Sequence, residues 1–312
     1  MRKQLVLVGV VCGFICVLAM HSDGADAGSP PIKAGIIGLD AHALAWTKIL
    51  NNPQAEGELA DLVVVAGYPG GSPDIPQSLK RLGQSVEPIR QMNVEIVGSI
   101  DELIGKVDVV MILSIDGRKH LSQARPVFAA GKPVFIDKPV GSNLAEVLAI
   151  YRAAEHFDVP TFSSSSLRYS EGAQAIRSGK VGRVLGCDSY SPCGLEPTHV
   201  DLFWYGIHGV ETLFTCMGTG CESVSHTSTD DYEFAVGRWS DGRIGTFRGM
   251  RSGTKGYGGM AFGEKSNTAI GPYGGYKPLV VEIAKFFRTG NPPVDAAETI
   301  QVYAFMQAAF QS

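Results

Sequence analysis

Ile32-Lys33-Ala34-Gly35-Ile36-Ile37-Gly38-Leu39-Asp40-Ala41-His42-Ala43 is the stretch on which the fold turns. Lys33 to Gly38 reads as a buried strand, because the apolar run is short, unbroken and closed by glycine, and His42 to Asn52 reads as a helix. A strand passing through a glycine turn into a helix opens a dinucleotide-binding unit, whose fingerprint is G-x-G-x-x-G/A. Gly38 fills its first position and Ala43 its last. Asp40 stands at the middle one, where glycine normally lets the backbone approach a pyrophosphate. A carboxylate there repels phosphate and blocks the helix N-terminus that should receive it. The acid that normally binds ribose at the end of the second strand is missing too. Ala66-Gly67-Tyr68-Pro69-Gly70-Gly71 takes its place, and the nearest acid is Asp74.

Outward from this turn the pattern repeats. Further apolar strands are predicted at Leu62 to Ala66, Val94 to Val97, Val107 to Leu113, Pro133 to Ile136 and Val159 to Phe162. Helices are predicted around Asp101-Glu102-Leu103, over Arg118 to Ala130 with Gly131 as its stop, and over Asn143 to Phe157 with Asn143 as cap. Near-continuous apolar strands separated by helices mean a parallel sheet covered on both faces, hence an α/β Rossmann-like doubly wound domain over 32–162. Tyr68 to Glu87 reads as a long Pro/Gly-rich connection. After Ser163 the pattern changes. Val184 to Tyr190, Tyr232 to Trp239, Ile244 to Met250 and Tyr257 to Phe262 read as antiparallel strands, and Asp241-Gly242 signals a hairpin. Helices are expected at Trp204 to Met217, Pro278 to Thr289 and Ala296 to Ala309. The second domain, 163–312, is therefore an α+β domain with an open, mainly antiparallel sheet, expected to form the substrate wall and a contact within a homo-oligomer.

The 312 residues suffice for two domains, and a net charge of −4 gives no basic footprint, so nucleic acid is not an expected partner. Arg2 and Lys3, the apolar run Leu5 to Ala19 and the small-residue site Ala25-Asp26-Ala27 have the layout of a secretory signal peptide over 1–27. The expectation is an exported, periplasmic or secreted protein with no membrane attachment after cleavage; an uncleaved anchor is the competing reading. Cys187, Cys193, Cys216 and Cys221 then remain, either bridged or simply buried as small apolar residues. No metal-ligand spacing occurs.

The chemistry concentrates in Gly131-Lys132-Pro133-Val134-Phe135-Ile136-Asp137-Lys138-Pro139. A lysine at the carboxyl end of a central parallel strand lies at the ligand crevice of such a fold. There Lys138 could stabilise negative charge developing on a substrate oxygen. This segment, with Val107–Leu113, Ser114-Ile115-Asp116-Gly117, His120, Ser163–Ser166 and Leu167-Arg168-Tyr169, resembles the Gfo/Idh/MocA oxidoreductase family, whose D/E-K-P motif matches Asp137, Lys138 and Pro139. The resemblance implies a nicotinamide cofactor, NAD or NADP, in a crevice lined by Gly38, Ser114, His120, Asp137 and Lys138. Leu39, Asp40, Ala43 and Asp116 join that set by their place in the two turns.

Members of that family commonly carry D-x-G-x-H in the second domain. Here Trp204-Tyr205-Gly206-Ile207-His208 supplies glycine and histidine but tryptophan for aspartate. If the helix reaches back to Asp201, then Asp201, Tyr205 and His208 share one face. His208 could take a hydroxyl proton, with Tyr205 as the alternative. Arg168 and Tyr169 could touch substrate or brace the domain junction. Tyr273, Tyr276 and Lys277 could border a sugar pocket, although a plain loop is the simpler reading. The resulting expectation is hydride transfer on a sugar, polyol or related hydroxyl compound. The alternative is an exported carbohydrate-binding protein that keeps the fold with a degraded cofactor site.

Overall fold

The computed structural model describes residues 30–312, so the leader expected at 1–27 lies outside the described residues. The first sheet contains β1 (Ile32–Ile37), β2 (Leu62–Tyr68), β3 (Glu95–Ile96), β4 (Val109–Ile112), β5 (Val134–Ile136) and β6 (Thr161–Ser163). Its order is β3-β2-β1-β4-β5-β6 and every pairing is parallel. This is the doubly wound arrangement expected from the alternating pattern, with its ligand crevice between the ends of β1 and β4, where the winding reverses.

The helices between these strands are α1 (Ala43–Leu50), α2 (Pro76–Arg90), α3 (Ile100–Ile104), α4 (Gly117–Ala129) and α5 (Leu144–His156). Side chains of Ser99, Asp116 and Asn143 accept from the backbone N–H of Glu102, Arg118 and Glu146 and so start α3, α4 and α5. The connection expected from Tyr68 to Glu87 is corrected here: most of it is α2. Its inward stripe is Ser78, Leu82, Ser85 and Ile89, half of it serine, and Pro88 lies inside the helix. Both features hid the 3.6-residue period.

The second sheet contains β7 (Val184–Pro192), β8 (Cys221–Ser228), β9 (Tyr232–Trp239), β10 (Ile244–Met250), β11 (Gly258–Gly263) and β12 (Asn267–Ala269), in the order β12-β11-β7-β10-β9-β8. Its pairings are antiparallel except β7 with β10, which is parallel. Over it lie α6 (Glu171–Arg177), α7 (Asp201–Trp204), α8 (Ile207–Met217) and α10 (Ala296–Gln311), while α9 (Lys277–Thr289) turns back to the first sheet. Leu279, Ile283 and Phe286 of α9 join Trp46, Ile36, Phe135 and Phe162 in one apolar cluster. Gly209 of α8 lets that helix sit on β10, because a Cβ there would stand 2.3 Å from the Phe247 ring. The four cysteines at 187, 193, 216 and 221 are free thiols, three of them buried.

The helix expected from Trp204 to Met217 is instead two, α7 and α8, broken at Tyr205-Gly206, where Tyr205 adopts φ −135°. That break decides the geometry of the site.

Candidate active site

Asp137 and Lys138 follow the last residue of β5. The Asp137 carboxylate is buried beneath His42, whose Nδ1 lies 2.5 Å from Oδ2, and its Oδ1 accepts from the Lys138 N–H at 2.8 Å. Burial alone would raise this carboxyl, but the adjacent His42 and the Lys138 charge outweigh it and bring its pKa to about 2. The Lys138 ammonium forms no hydrogen bond or ion pair among the described residues, although the residue is only 8% exposed. It points into a cavity of about 200 Å³ that His208 also lines. Two groups 70 positions apart in sequence, one from each sheet's region, thus face one space.

His208 is the second residue of α8, just after the break. Its Nδ1 lies 2.6 Å from Ser165 Oγ, which also accepts from the Leu167 N–H. A serine hydroxyl has one proton, and its only acceptor here is His208 Nδ1, so the imidazole proton sits on Nε2. Nε2 has no protein partner and is not sealed from the cavity. Burial, with the charges of Lys138 and His42, pushes the His208 pKa well below its ordinary value. The imidazole is therefore neutral and offers the cavity a donor. In this tautomer Nε2 donates, whereas the role read from sequence has His208 accept the proton. Ser165 is itself fixed by Glu211, one turn along α8, whose carboxylate accepts from the Ser165 N–H and the Ser164 hydroxyl, each at 2.7 Å.

Tyr205 also faces the cavity, its hydroxyl 3.0 Å from that of Tyr257. Asp201 does not: the helix break turns it to a surface groove beside Glu196 and Phe310, so the shared face expected for Asp201, Tyr205 and His208 is not formed. Trp204 lines the cavity in the place of the expected aspartate and packs on the His199 ring. Tyr273 and Tyr276 line it as well, whereas Lys277 opens onto a different groove. Arg168 is no substrate contact: it is buried between Glu211 and Glu298, with N–O distances of 2.8 and 2.7 Å. Sequence reasoning missed His42, Gln77, Arg81, Tyr257 and Ser165. His42 follows the glycine turn directly and Ser165 lies in the Ser163–Ser166 segment of the resemblance, but Gln77, Arg81 and Tyr257 lie in segments without a recognisable motif.

The residues expected to line a dinucleotide crevice are placed differently. Gly38, Leu39, Asp40, Ala43, Ser114, Asp116 and His120 are all buried and none lines the cavity. The chain after β2 lies across them. Gly38 N–H donates to the Tyr68 carbonyl and Leu39 N–H to that of Pro69, both at 2.9 Å. The Asp40 carboxylate turns inward and accepts from the Ile115 N–H at 3.1 Å and from the Ser78 hydroxyl. Asp116 accepts from Ser72 Oγ at 2.5 Å and pairs with Arg118, which also holds Asp74. Ser114 exchanges hydrogen bonds with Gln123, and both His120 nitrogens face the carbonyls of Ser114 and Val140. Ile75, fully buried, packs with Ile115 and Trp204 over the strand ends.

Residues 32–163 match the GFO_IDH_MocA family, an oxidoreductase family with an NAD-binding Rossmann fold. That match covers the first sheet and its helices. The whole described fold, second sheet included, is that of solved dehydrogenases. A probable dehydrogenase from Thermotoga maritima superposes with a TM-score of 0.71 at 18% identity, over 90% of this chain and 96% of that one. A putative myo-inositol dehydrogenase from Sinorhizobium meliloti gives 0.71 at 17% identity over the same shares. The scyllo-inositol dehydrogenase from Lactobacillus casei, solved with bound NAD(H) and scyllo-inositol, gives 0.68 at 17% identity over 90% and 97%. Among curated proteins, none matches this chain.

The family's cofactor is NAD. In the arrangement seen here, the segment after β2 occupies the groove in which a dinucleotide would lie. The Gly38 and Leu39 N–H groups are taken by Tyr68 and Pro69, the Asp40 carboxylate is bonded to Ser78 and Ile115, and Asp74 is committed to Arg118. The open space that remains, about 200 Å³, is below the ~300 Å³ lower end of pockets for drug-sized ligands.

Proposed function

We propose that the chain binds a sugar, polyol or related hydroxyl compound in the Lys138–His208 cavity and acts on it as an oxidoreductase of its family, with NAD or NADP as the redox partner. One observation carries this: an unpaired, nearly buried ammonium and a neutral imidazole donor converge on one enclosed space from separate halves of the chain. The cavity size suits one small polar molecule, and its wall of Tyr205, Tyr257, Tyr273 and Tyr276 offers apolar ring faces and hydroxyls together. Lys138 holds the substrate oxygen and stabilises negative charge on it, and His208 donates from Nε2 to a second oxygen. With His208 a donor, the Tyr205–Tyr257 hydroxyl pair is the remaining group able to relay the hydroxyl proton.

The reading requires residues 69–78 to leave the groove before a dinucleotide reaches the cavity. That requirement favours a second reading, a non-catalytic carbohydrate-binding protein, on the specific observation that Asp40 is bonded inward to Ser78 and Ile115. Thermal shifts with NAD(H) and NADP(H), and turnover over a panel of polyols, separate the two. Cofactor stabilisation and activity abolished by Lys138→Ala support the enzyme. Polyol stabilisation with no response to any of the four nucleotides supports the binder. Export and assembly belong to the same proposal. Tyr190, Ile244, Met260 and Phe262 leave apolar surface on the outer face of the second sheet, where a second copy could pack. N-terminal sequencing of the cell-derived protein and its mass in solution test these two points.

A further inference from the structure

We infer that the compound taken by this cavity carries a carboxylate: a polyhydroxy acid, with Arg81 as the anchor of its acid group. The inference rests on the small-hydroxyl-compound reading above and narrows its substrate class. It starts from the charges of the wall. Lys138 and Arg81 both line the cavity, and no aspartate or glutamate does. Neither cation is engaged by a carboxylate: among the described residues Arg81 makes no hydrogen bond or ion pair, and the Lys138 ammonium makes none either. The nearest acid, Asp137, lies behind the wall, 1% exposed, with its oxygens given to His42 Nδ1 and the Lys138 N–H. It moderates the field of Lys138 but leaves Arg81 uncompensated.

The hydrogen-bonding character of the wall points the same way. Lys138 and Arg81 can only donate, and the tautomer fixed by Ser165 makes His208 a donor at Nε2. A neutral polyol brings its own O–H donors and needs acceptors opposite them. The side chains that can accept here are the tyrosine hydroxyls, Ser166, the Gln77 amide oxygen and, in the neutral ring whose Nδ1 donates to Asp137, His42 Nε2. An anion needs donors alone. A nearly buried ammonium without a hydrogen-bond acceptor is unfavourable, and a ligand carboxylate relieves that cost. The geometry separates two tasks. Lys138 and His208 lie at the β5 and α8 side, where the hydroxyl would be handled. Arg81 comes from α2, four residues after Gln77 and on the same helix face, so the two form a second polar edge. A guanidinium there matches a carboxylate with two parallel N–H bonds, which a lysine could not do. The acid end would sit at α2 and the hydroxyl end at Lys138.

The test is calorimetric titration of the full chain with gluconate and glucuronate against glucitol and glucose, at low salt. The expected result is at least tenfold tighter binding of each acid than of its neutral counterpart. Arg81→Gln should bring that ratio to near one, and Arg81→Lys should restore only part of it. Arg81 is half-exposed on a helix surface, and circular dichroism confirms that the variants fold. Neutral compounds binding as tightly as the acids would overturn the inference and leave the hydroxyl-compound reading standing. A preference for acids that survives Arg81→Gln would overturn the assignment of the anchor. No binding of any of the four would sink both readings.

Discussion

Replacing Asp40 by alanine tests the reasoning about the filled groove. The Asp40 carboxylate receives two buried donors, the Ile115 N–H at 3.1 Å and the Ser78 hydroxyl. Each buried donor left without a partner costs about 1–3 kcal/mol, so the two together approach roughly 2–6 kcal/mol. Part of this is returned, because burial raises the Asp40 carboxyl despite those same hydrogen bonds, and the ionised group is unfavourable where it stands. A net loss of about 2–4 kcal/mol is expected at pH 7. For a chain of this size that is a fall in Tm of roughly 4–10 °C. The pH dependence has a definite sign. A carboxyl whose folded pKa is raised contributes its stability below its unfolded pKa, and that contribution is lost as pH rises. The gap between Asp40→Ala and the unaltered chain should therefore be widest in acid and narrow toward neutrality. Calorimetric melts across that range measure it. A Tm unchanged within 1 °C at every pH would refute the claim that Asp40 fastens the segment after β2 over the glycine turn.

Asp137 gives the opposite sign. Its pKa, held at about 2 beside His42, means that its contribution is present above about pH 4 and lost as pH falls to 2, an effect on the order of 2 kcal/mol; Asp137→Asn should flatten that part of the acid stability curve. Nitrogen NMR of His208 should show a neutral ring protonated at Nε2 down to acid pH, and Ser165→Ala, which removes the hydroxyl at Nδ1, should change the tautomer populations without unfolding the chain. Arg168→Met strands Glu211 as a buried, uncompensated carboxylate, leaves Glu298 with Arg177 alone, and should cost about 3–5 kcal/mol in denaturant melts. A cost below 1 kcal/mol would mean that the network is solvated. Because Glu211 fixes Ser165, the same variant should also weaken ligand binding.

Local pattern carried most of the architecture. Apolar runs bounded by glycine and capped helices fixed the six parallel strands and their winding, because a strand buried on both faces must be apolar along its whole length. The motif at Asp137-Lys138-Pro139 placed the lysine, since the end of a central strand in this fold is always at the crevice. Three things were beyond a local reading. The stripe of α2 uses serines where a period would need leucines, so the helix that brings Gln77 and Arg81 to the cavity read as a loop. The proton on His208 depends on a hydroxyl 43 positions away, and no spacing encodes that contact. The sequence showed Asp40 as an obstacle to phosphate, but not that its carboxylate turns inward to hold Ser78 and Ile115. The direction of a side chain, and which donors meet it, is set by segments that come together only when the chain is packed.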